Sequence, residues 1–466
     1  MSNPGTMAPK KKWYERMPHS YVILFAVIVI AAILTWILPA GEFAREGRQV
    51  IPGTYGLVEQ AGVGPFALFM AIPQGMVAAS SIIFLIMIST AALAVIRESG
   101  ALDNGIGSAL ERAKKSKGST PVVIFVVTFL FSILGVLIGP EMHLPFLILG
   151  MSIAVSLKLD AIVGLGMVVG GGWTGFMFGP INAALLGTAH SIMGMPIFSG
   201  QGLRWVMWFC ATLVVCMFNI WYARKITKNP EKSYVKDMDY SQFKLTTDDG
   251  TYKVTGRHVS VLLVLLGIFA ATVIGASQFG WHLTEMATIF LIGGILAGFV
   301  NGWSINKIIE IFIRGVSSAA PIALVVGIAR AIQVVLEDGR IMDTIIYHLS
   351  GPLLEFSPIV GAFFITVIVG LFRFLIPSAS GLAFSILPVL GPLGILIGIS
   401  EQTTVLAFQI GATIPMFIWP TAAVLIAALG IANVPLIKWY RYALPLTFFI
   451  AVLSSVFLGI AFAIGY

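Results

Sequence analysis

Apolar runs of about 20 residues, enough for a helix to cross a hydrocarbon core, recur along the whole chain and alternate with short polar or basic segments. The pattern predicts a first crossing at Tyr21–Pro39, a polar loop over 41–62, an interfacial helix over 65–77 and a second crossing at Ser80–Ile96. Residues 101–117 read as amphipathic and end in Arg112, Lys114, Lys115 and Lys117. Two apolar arms, Pro121–Gly139 and Leu144–Leu157, are joined by Gly139-Pro140-Glu141-Met142-His143. They predict a re-entrant hairpin over 119–158, because Lys158 returns to the side that Lys117 left; two separate crossings are the alternative. A crossing at Leu203–Tyr222 leads into residues 223–257, rich in Lys and Arg.

Between these lies Leu165–His190, LGMVVGGGWTGFMFGPINAALLGTAH, apolar enough to cross but crowded with Gly170, Gly171, Gly172, Gly175, Gly179 and Pro180. These residues predict a helix broken in its middle. A break in hydrocarbon leaves backbone groups unpaired, so it survives only where protein or a polar cavity surrounds it. Val405–Gly430 repeats the design, with Gly411 opposite Gly171 (411 − 171 = 240) and Pro420 opposite Pro180 (420 − 180 = 240). Two broken apolar helices at matching places in two halves point to a secondary-transporter site.

The rest of the second half follows the same spacing. His258 answers His19, Glu337 answers Glu98 and Gly339 answers Gly100, each 239 residues on. Ile376–Leu387 answers Ile138–Leu149 at an offset of 238 (376 − 138). Punctuating Gly, Pro and Glu match as well as apolar residues, the mark of an internal repeat. One stretch differs: residues 41–62 are polar, whereas Trp281–Val300 is apolar enough to cross. One extra crossing turns the second unit over, so the expected fold is all-α, an inverted repeat of about nine crossings and two re-entrant hairpins. The expected divisions are a cytoplasmic terminus over 1–18, a first half over 19–222 (hairpin 119–158, broken helix 161–192), a linker over 223–257, and a second half over 258–466 (hairpin 357–398, broken helix 403–430).

Composition agrees. Of 466 residues, 58% are hydrophobic and 11% charged, against about 25% charged in a soluble domain. The net charge of +7 gathers in loops, including Lys10, Lys11, Lys12 and Arg16; that marks a cytoplasmic N-terminus rather than a nucleic-acid surface. Cys210 and Cys216 share one apolar run and read as packing residues. No Walker, HExxH or GxSxG motif occurs, which leaves no ATP motor and no enzyme signature. A channel, which needs a polar ring along a pore, and an intramembrane enzyme built on Glu141 and His143 are the competing classes.

Hairpin tips and breaks should meet near the bilayer midplane, where half-helix N-termini suit carboxylates and freed carbonyls suit cations. Glu141, an acid at a tip, could bind an ammonium group, bind a cation or carry a proton; His143 could be its partner. Ser378, Ser380 and Gly381 offer donors at the second tip. Arg373, five residues before Ser378, could grip a carboxylate in a two-bond fork or snorkel to the interface. Arg330 reads as a snorkelling or ion-pair residue. Gly171, Thr174, Asn182, His190, Gly411, Thr413 and Thr421 flank the breaks, and Trp173, Phe176, Phe178 and Trp419 could pack or stack on substrate.

Thr35–Phe43 (TWILPAGEF), Ser99–Ile106 (SGALDNGI), Ser199–Leu203 (SGQGL), Thr404–Gly411 (TVLAFQIG) and Pro420-Thr421 resemble the YfcC-type family of basic amino-acid antiporters and, more distantly, the DcuC-type dicarboxylate carriers, over nearly the whole chain. The resemblance implies an elevator carrier in the inner (plasma) membrane, a homodimer without organic cofactor, taking a small organic substrate and Na+ or H+ as coupling ion. Related sequences tend to carry two adjacent acids at the first tip, Gly-Asp-Gly in the second break and Ser-Gly-Ser-Gly at the second tip. Here these read Glu141-Met142, Gly411-Ala412-Thr413 and Ser378-Ala379-Ser380-Gly381. Two acids fewer and Arg373 more shift the expected cargo from a cation toward an anion or zwitterion.

Overall fold

The computed structural model describes residues 20–46, 49–51, 53–114, 119–245 and 252–466. The expectations resting on Lys10, Lys11, Lys12, Arg16, His19, Lys115 and Lys117 fall outside them. Among the described residues, nine helices are long and apolar enough to cross a membrane, and the chain is a multi-pass membrane protein. They are not the nine expected crossings. Three are hairpin arms, Thr120–Leu137, Pro358–Leu375 and Ala379–Leu396, whereas Ser20–Ile37 and Gly256–Gln278 are not among them.

The helices pack as two groups. In one, Ile305–Asp338 lies along Pro65–Ala78, Ser80–Glu98 and Ser20–Ile37, and Ser80–Glu98 also packs on Leu283–Val300. Lipid tails give no hydrophobic drive between helices, so small residues that let backbones approach do this work. Gly75 sits against the Gly327 carbonyl and the Ala331 backbone, Gly315 against Ala91 and Gly294 against Ala92. The segment expected as an interfacial helix over 65–77 is the helix Pro65–Ala78. Pro65–Ala78 runs nearly end to end into Ser80–Glu98, and the pair spans 34 residues (98 − 65 + 1), as many as Ile305–Asp338.

The second group holds the hairpins, the broken helices, Gln201–Lys228 and Leu436–Ala463. The first hairpin is Ser119–Leu137, a 3-10 tip at Pro140–Phe146 and Leu147–Ser156. The second is Pro358–Leu375, an extended Ile376, and Ala379–Leu396 capped by Ser378. Both arms end where a proline follows, at Pro140 and Pro377, because proline donates no N–H and disfavours a helical residue before it.

The breaks lie later than the glycine clusters predict. Ala161–Phe178 runs helically through Gly170, Gly171 and Gly172, with a π-turn at Gly166–Gly170, and stops at Gly179. Its 18 residues are all buried, so these glycines serve close packing. A Cβ on Gly171 would fall on the Thr128 carbonyl, and one on Gly411 on the Thr366 carbonyl. The second helix, Glu401–Thr413, likewise passes Gly411 before a 3-10 turn at Ile414–Phe417, and Ala423–Ile431 resumes it.

Outside the helices, residues 41–57 are more than a polar loop. Gly41–Glu42 pairs with Gly56–Leu57 and Arg45–Glu46 with Gln49–Val50, both antiparallel. Asp343 anchors them, accepting bonds from the Phe43 N–H at 2.9 Å and Arg45 at 2.7 Å. After Lys228, the basic loop folds back on the helices: Ser233 and Tyr222 donate to Asp160 at 2.6 and 2.7 Å, and Lys438 pairs with Asp237.

Candidate functional site

A break inside a membrane protein must account for its freed carbonyls. At the first break, Asn182 Nδ2 donates to the Phe176 carbonyl at 3.1 Å and Gln409 Nε2 to the Met177 carbonyl at 2.8 Å. The Leu185 N–H returns to Asn182 Oδ1 at 3.1 Å. At the second, Trp439 Nε1 donates to the Phe417 carbonyl at 2.8 Å and Tyr440 Oη to the Ile418 carbonyl at 2.8 Å. Buried Arg204 aims Gln409 through a 3.1 Å bond from Nε to Oε1. Both breaks are therefore held open by side chains rather than left to strain.

A cavity of about 380 Å³ lies between the two hairpin tips. Gly139–Met142 form one wall and Pro377–Ser380 with Arg373 another. Trp173 and Phe176 precede the first break, Met416 and Ala422–Val424 belong to the second, and both contribute. The rest comes from the other helix group: Ala78, Ala79, Ser81 and Ile82 at the helix joint, His282 and Leu283, and Val326 and Arg330. The cavity thus lies where the two groups meet.

The tips present different chemistry. Ser378 Oγ accepts the Gly381 N–H at 3.2 Å and caps the Ala379–Leu396 helix, whose first turn faces the cavity. That turn carries N–H groups without helical partners and the positive end of the dipole. Arg373 is buried; among the described residues its guanidinium makes one hydrogen bond, Nη1 to the Ile376 carbonyl at 3.4 Å. That is long for an N–H···O bond, and it leaves most of five donors unused. Glu141 faces it without an ion pair: among the described residues no cationic nitrogen lies within 4.0 Å of its carboxylate. Trp173 Nε1 donates to the Pro140 carbonyl at 3.4 Å and its ring lies 5.7 Å from Phe417, so it braces the first tip.

Of the residues singled out from sequence, Glu141, Trp173, Phe176, Arg373, Ser378 and Ser380 line this cavity. Apart from Arg330, the others stand behind it. His143 is buried under Gly172, with Nδ1 3.1 Å from the Gly139 carbonyl and Nε2 unbonded within the described residues. Gly171 and Gly411 pack on carbonyls of the hairpin arms. Thr174 and Thr413 bond back to Gly170 and Gln409 of their own helices, at 2.7 and 2.6 Å. Asn182 closes the first break, Gly381 donates its N–H to the Ser378 cap of the second tip, and Thr421 is buried. His190 accepts the Phe198 N–H at 3.0 Å, far from either tip in its bonding. Arg330, set aside from sequence as a snorkelling or ion-pair residue, lines the cavity. Its signal was there to use, since an arginine eight residues inside an apolar helix (338 − 330) marks function by default. Ser81 and His282 carried no such signal. No group of three or more metal-ligating side chains is found among the described residues.

Residues 17–463 match the family model DcuC, described as a C4-dicarboxylate anaerobic carrier. An Escherichia coli (strain K12) protein named "Putative basic amino acid antiporter YfcC" is 28% identical, over 98% of this chain and 98% of its own. An uncharacterized protein of Haemophilus influenzae is 27% identical, over 97% and 98%. Among solved structures, the YdaH transporter of Alcanivorax borkumensis aligns at 17% identity over 96% of this chain and 99% of its own, with a TM-score of 0.46.

Proposed function

The chain belongs to the DcuC family of C4-dicarboxylate anaerobic carriers, and from that premise we propose that it is a secondary active transporter or exchanger of a small carboxylate or amino acid. The observation that carries this reading is one cavity with Arg373 and a helix N-terminus on one side and Glu141 on the other. The N-terminus and the guanidinium fork suit a carboxylate. Glu141 can answer an ammonium group, a sodium ion or a proton, which makes it our candidate for coupling. Counting arginines against carboxylates, Arg330 and Arg373 outnumber Glu141 (2 − 1 = +1). This balance favours an anionic or zwitterionic cargo.

The name of the E. coli relative brings a second reading, exchange of basic amino acids. A cationic side chain in a dehydrated site needs a counter-charge, and Glu141 is the one carboxylate among the lining residues.

Our mechanism is an elevator. The group holding both hairpins and both broken helices moves against the group built on Ile305–Asp338, carrying the tips across the barrier. The two halves, 19–222 and 258–466, are inverted repeats joined by a cytoplasmic linker over 223–257, in a homodimer in the inner membrane with residues 1–18 inside. Support comes from the sequence offsets and from the cavity's position between the groups. Uptake into proteoliposomes of labelled carboxylates and amino acids, under sodium and proton gradients separately, tests the function. Accumulation of a carboxylate-bearing compound is expected; leakage of inorganic ions without it would favour a channel. Cysteines placed at 45 and 240, with Cys210 and Cys216 replaced, should label from outside and inside respectively. Labelling of both from one face sinks the topology.

A further inference from the structure

We propose that Arg330 is a specificity-determining residue, selecting cargo that carries one more negative charge than the hairpin tips alone would hold. The inference rests on the carrier reading above. Arg330 belongs to Ile305–Asp338, a helix with neither a tip nor a break, and faces the cavity from the group opposite the hairpins. Its flanks are locked. Val326, Ala329 and Ala331 are buried, and Gly327 packs on Met76, so the helix cannot easily turn the side chain away.

The Glu337 carboxylate of the same helix attracts it, but from beyond ion-pair distance. Among the described residues the Arg330 guanidinium makes no hydrogen bond and no ion pair. Glu337, two turns further along the same helix, accepts a bond from the neutral Gln333 amide at 2.5 Å and keeps its charge, yet it makes no ion pair with Arg330 among the described residues. Glu141 and Arg373 already oppose each other across the tips. A charge in a confined, largely apolar site is costly until something answers it. An anionic group on the cargo would answer it at contact distance, which Glu337 does not.

The position is particular to the second half. The offset of 239 sets Arg330 against Ala91 (330 − 239), a buried residue so close to Gly315 that a Cβ there would lie 2.5 Å from its Cα. A repeat that needed the charge for folding would show it in both halves. A site that reads charge needs it once.

The test uses probe pairs of nearly equal shape that differ by one charge: succinate with succinamate, and glutamate with glutamine. Binding to the purified full chain in detergent is read by calorimetry, beside melting of the unliganded protein. Arg330→Gln should weaken the more anionic member of the bound pair by roughly ten- to hundredfold and the amide by less than about threefold. Melting of the unliganded variant should stay unchanged, and Arg330→Lys should keep the order of preference. Equal loss for both members, no loss for either, or a wild-type preference for the amide overturns the assignment. If the wild type binds neither pair nor any other carboxylate, the carrier reading itself fails, and this one with it. If it binds the anion and Arg330→Gln changes nothing, Arg330 alone is wrong.

Discussion

The two hairpins stand 238 residues apart in the sequence, yet they meet their broken helices differently. In the first, Gly135 leaves no room at all: a Cβ there would lie 2.8 Å from the Gly172 carbonyl carbon and 3.0 Å from Gly175 Cα. Gly171 and Gly175 press on the Thr128 and Ser132 carbonyls of the same arm. In the second, the place of Gly135 is taken by Arg373 (373 − 135 = 238), which reaches the cavity. Only Gly411 repeats the backbone contact, against Thr366, while a Cβ on Gly370 would find ordinary spacing at 3.5 Å from Pro415. The first tip is mostly buried from Met142 to Phe146, and Ser378 to Gly381 of the second are half-buried. One position thus packs on backbone in one half and places a guanidinium at the cavity in the other. A repeat conserves the path of the backbone, while the space beside it decides whether glycine or a long charged side chain can stand there.

The largest effect should come from breaking the backbone contacts. Gly135→Leu, Gly171→Leu and Gly411→Leu must each push two helices apart, at about 1–3 kcal/mol or more. Lower melting temperature and loss of a single elution peak in detergent are the expected readouts, with or without substrate. Arg373→Leu, at the place matching Gly135, should melt nearly as the wild type does. If Gly135→Leu is tolerated as well as Arg373→Leu, the asymmetry between the hairpins is false.

Next in size is charge. Arg373→Gln should weaken carboxylate binding by ~1.5–3 kcal/mol, the scale of a hydrogen bond to a charged group. Arg373→Lys should restore little, because the planar fork is lost. Glu141→Gln should instead blunt the dependence of uptake on pH or on the coupling cation. Unchanged carboxylate uptake by Arg373→Gln, together with lost lysine or arginine uptake by Glu141→Gln, would hand the site to the basic amino-acid reading.

Smaller again is the cap. Ser378→Ala removes the bond to the Gly381 N–H and should cost about 0.5–2 kcal/mol of stability, seen as a lower melting temperature. The first tip has no side-chain cap at Gly139, so Gly139→Ala has no such bond to lose.

The smallest effect sets the baseline away from both hairpins. The bond from Lys438 holds the Asp237 carboxyl below the usual carboxylate range. Its contribution is present above the unfolded pKa of about 3.9 and fades as pH falls through the lower folded value. Asp237 is largely exposed, so Lys438→Ala should cost no more than ~1 kcal/mol at neutral pH, and nothing once the carboxyl is protonated. Equal stability loss at neutral and strongly acid pH would contradict it.

Much of the architecture was legible along the chain, and the reasons are local. Helices in a bilayer satisfy their own backbone, so apolar length and punctuation suffice to mark the hairpin arms, Gln201–Lys228 and the crossing at Leu283–Val300. The tips were legible because proline, lacking an N–H, ends a helix, and serine starts one by capping a free N–H. Glu141 and Arg373 stood out because charge in an apolar span is costly.

What the sequence by itself determined was a helical, membrane-crossing chain with matching punctuation at offsets of 238 to 240 residues, two proline-marked tips and a short roster of charges. Only the tertiary structure decided what each glycine and each charge was for. Gly171 and Gly411 read as helix breakers, but glycine is equally the residue of close approach, and the carbonyls of Thr128 and Thr366 that demand it lie over 40 residues away in sequence. Arg330 read as a snorkelling or ion-pair residue; its charge within an apolar helix was a signal in the sequence, but only the neighbouring group shows that a cavity lies beside it. Burial and proximity are properties of pairs of segments, and no pattern within one segment contains them.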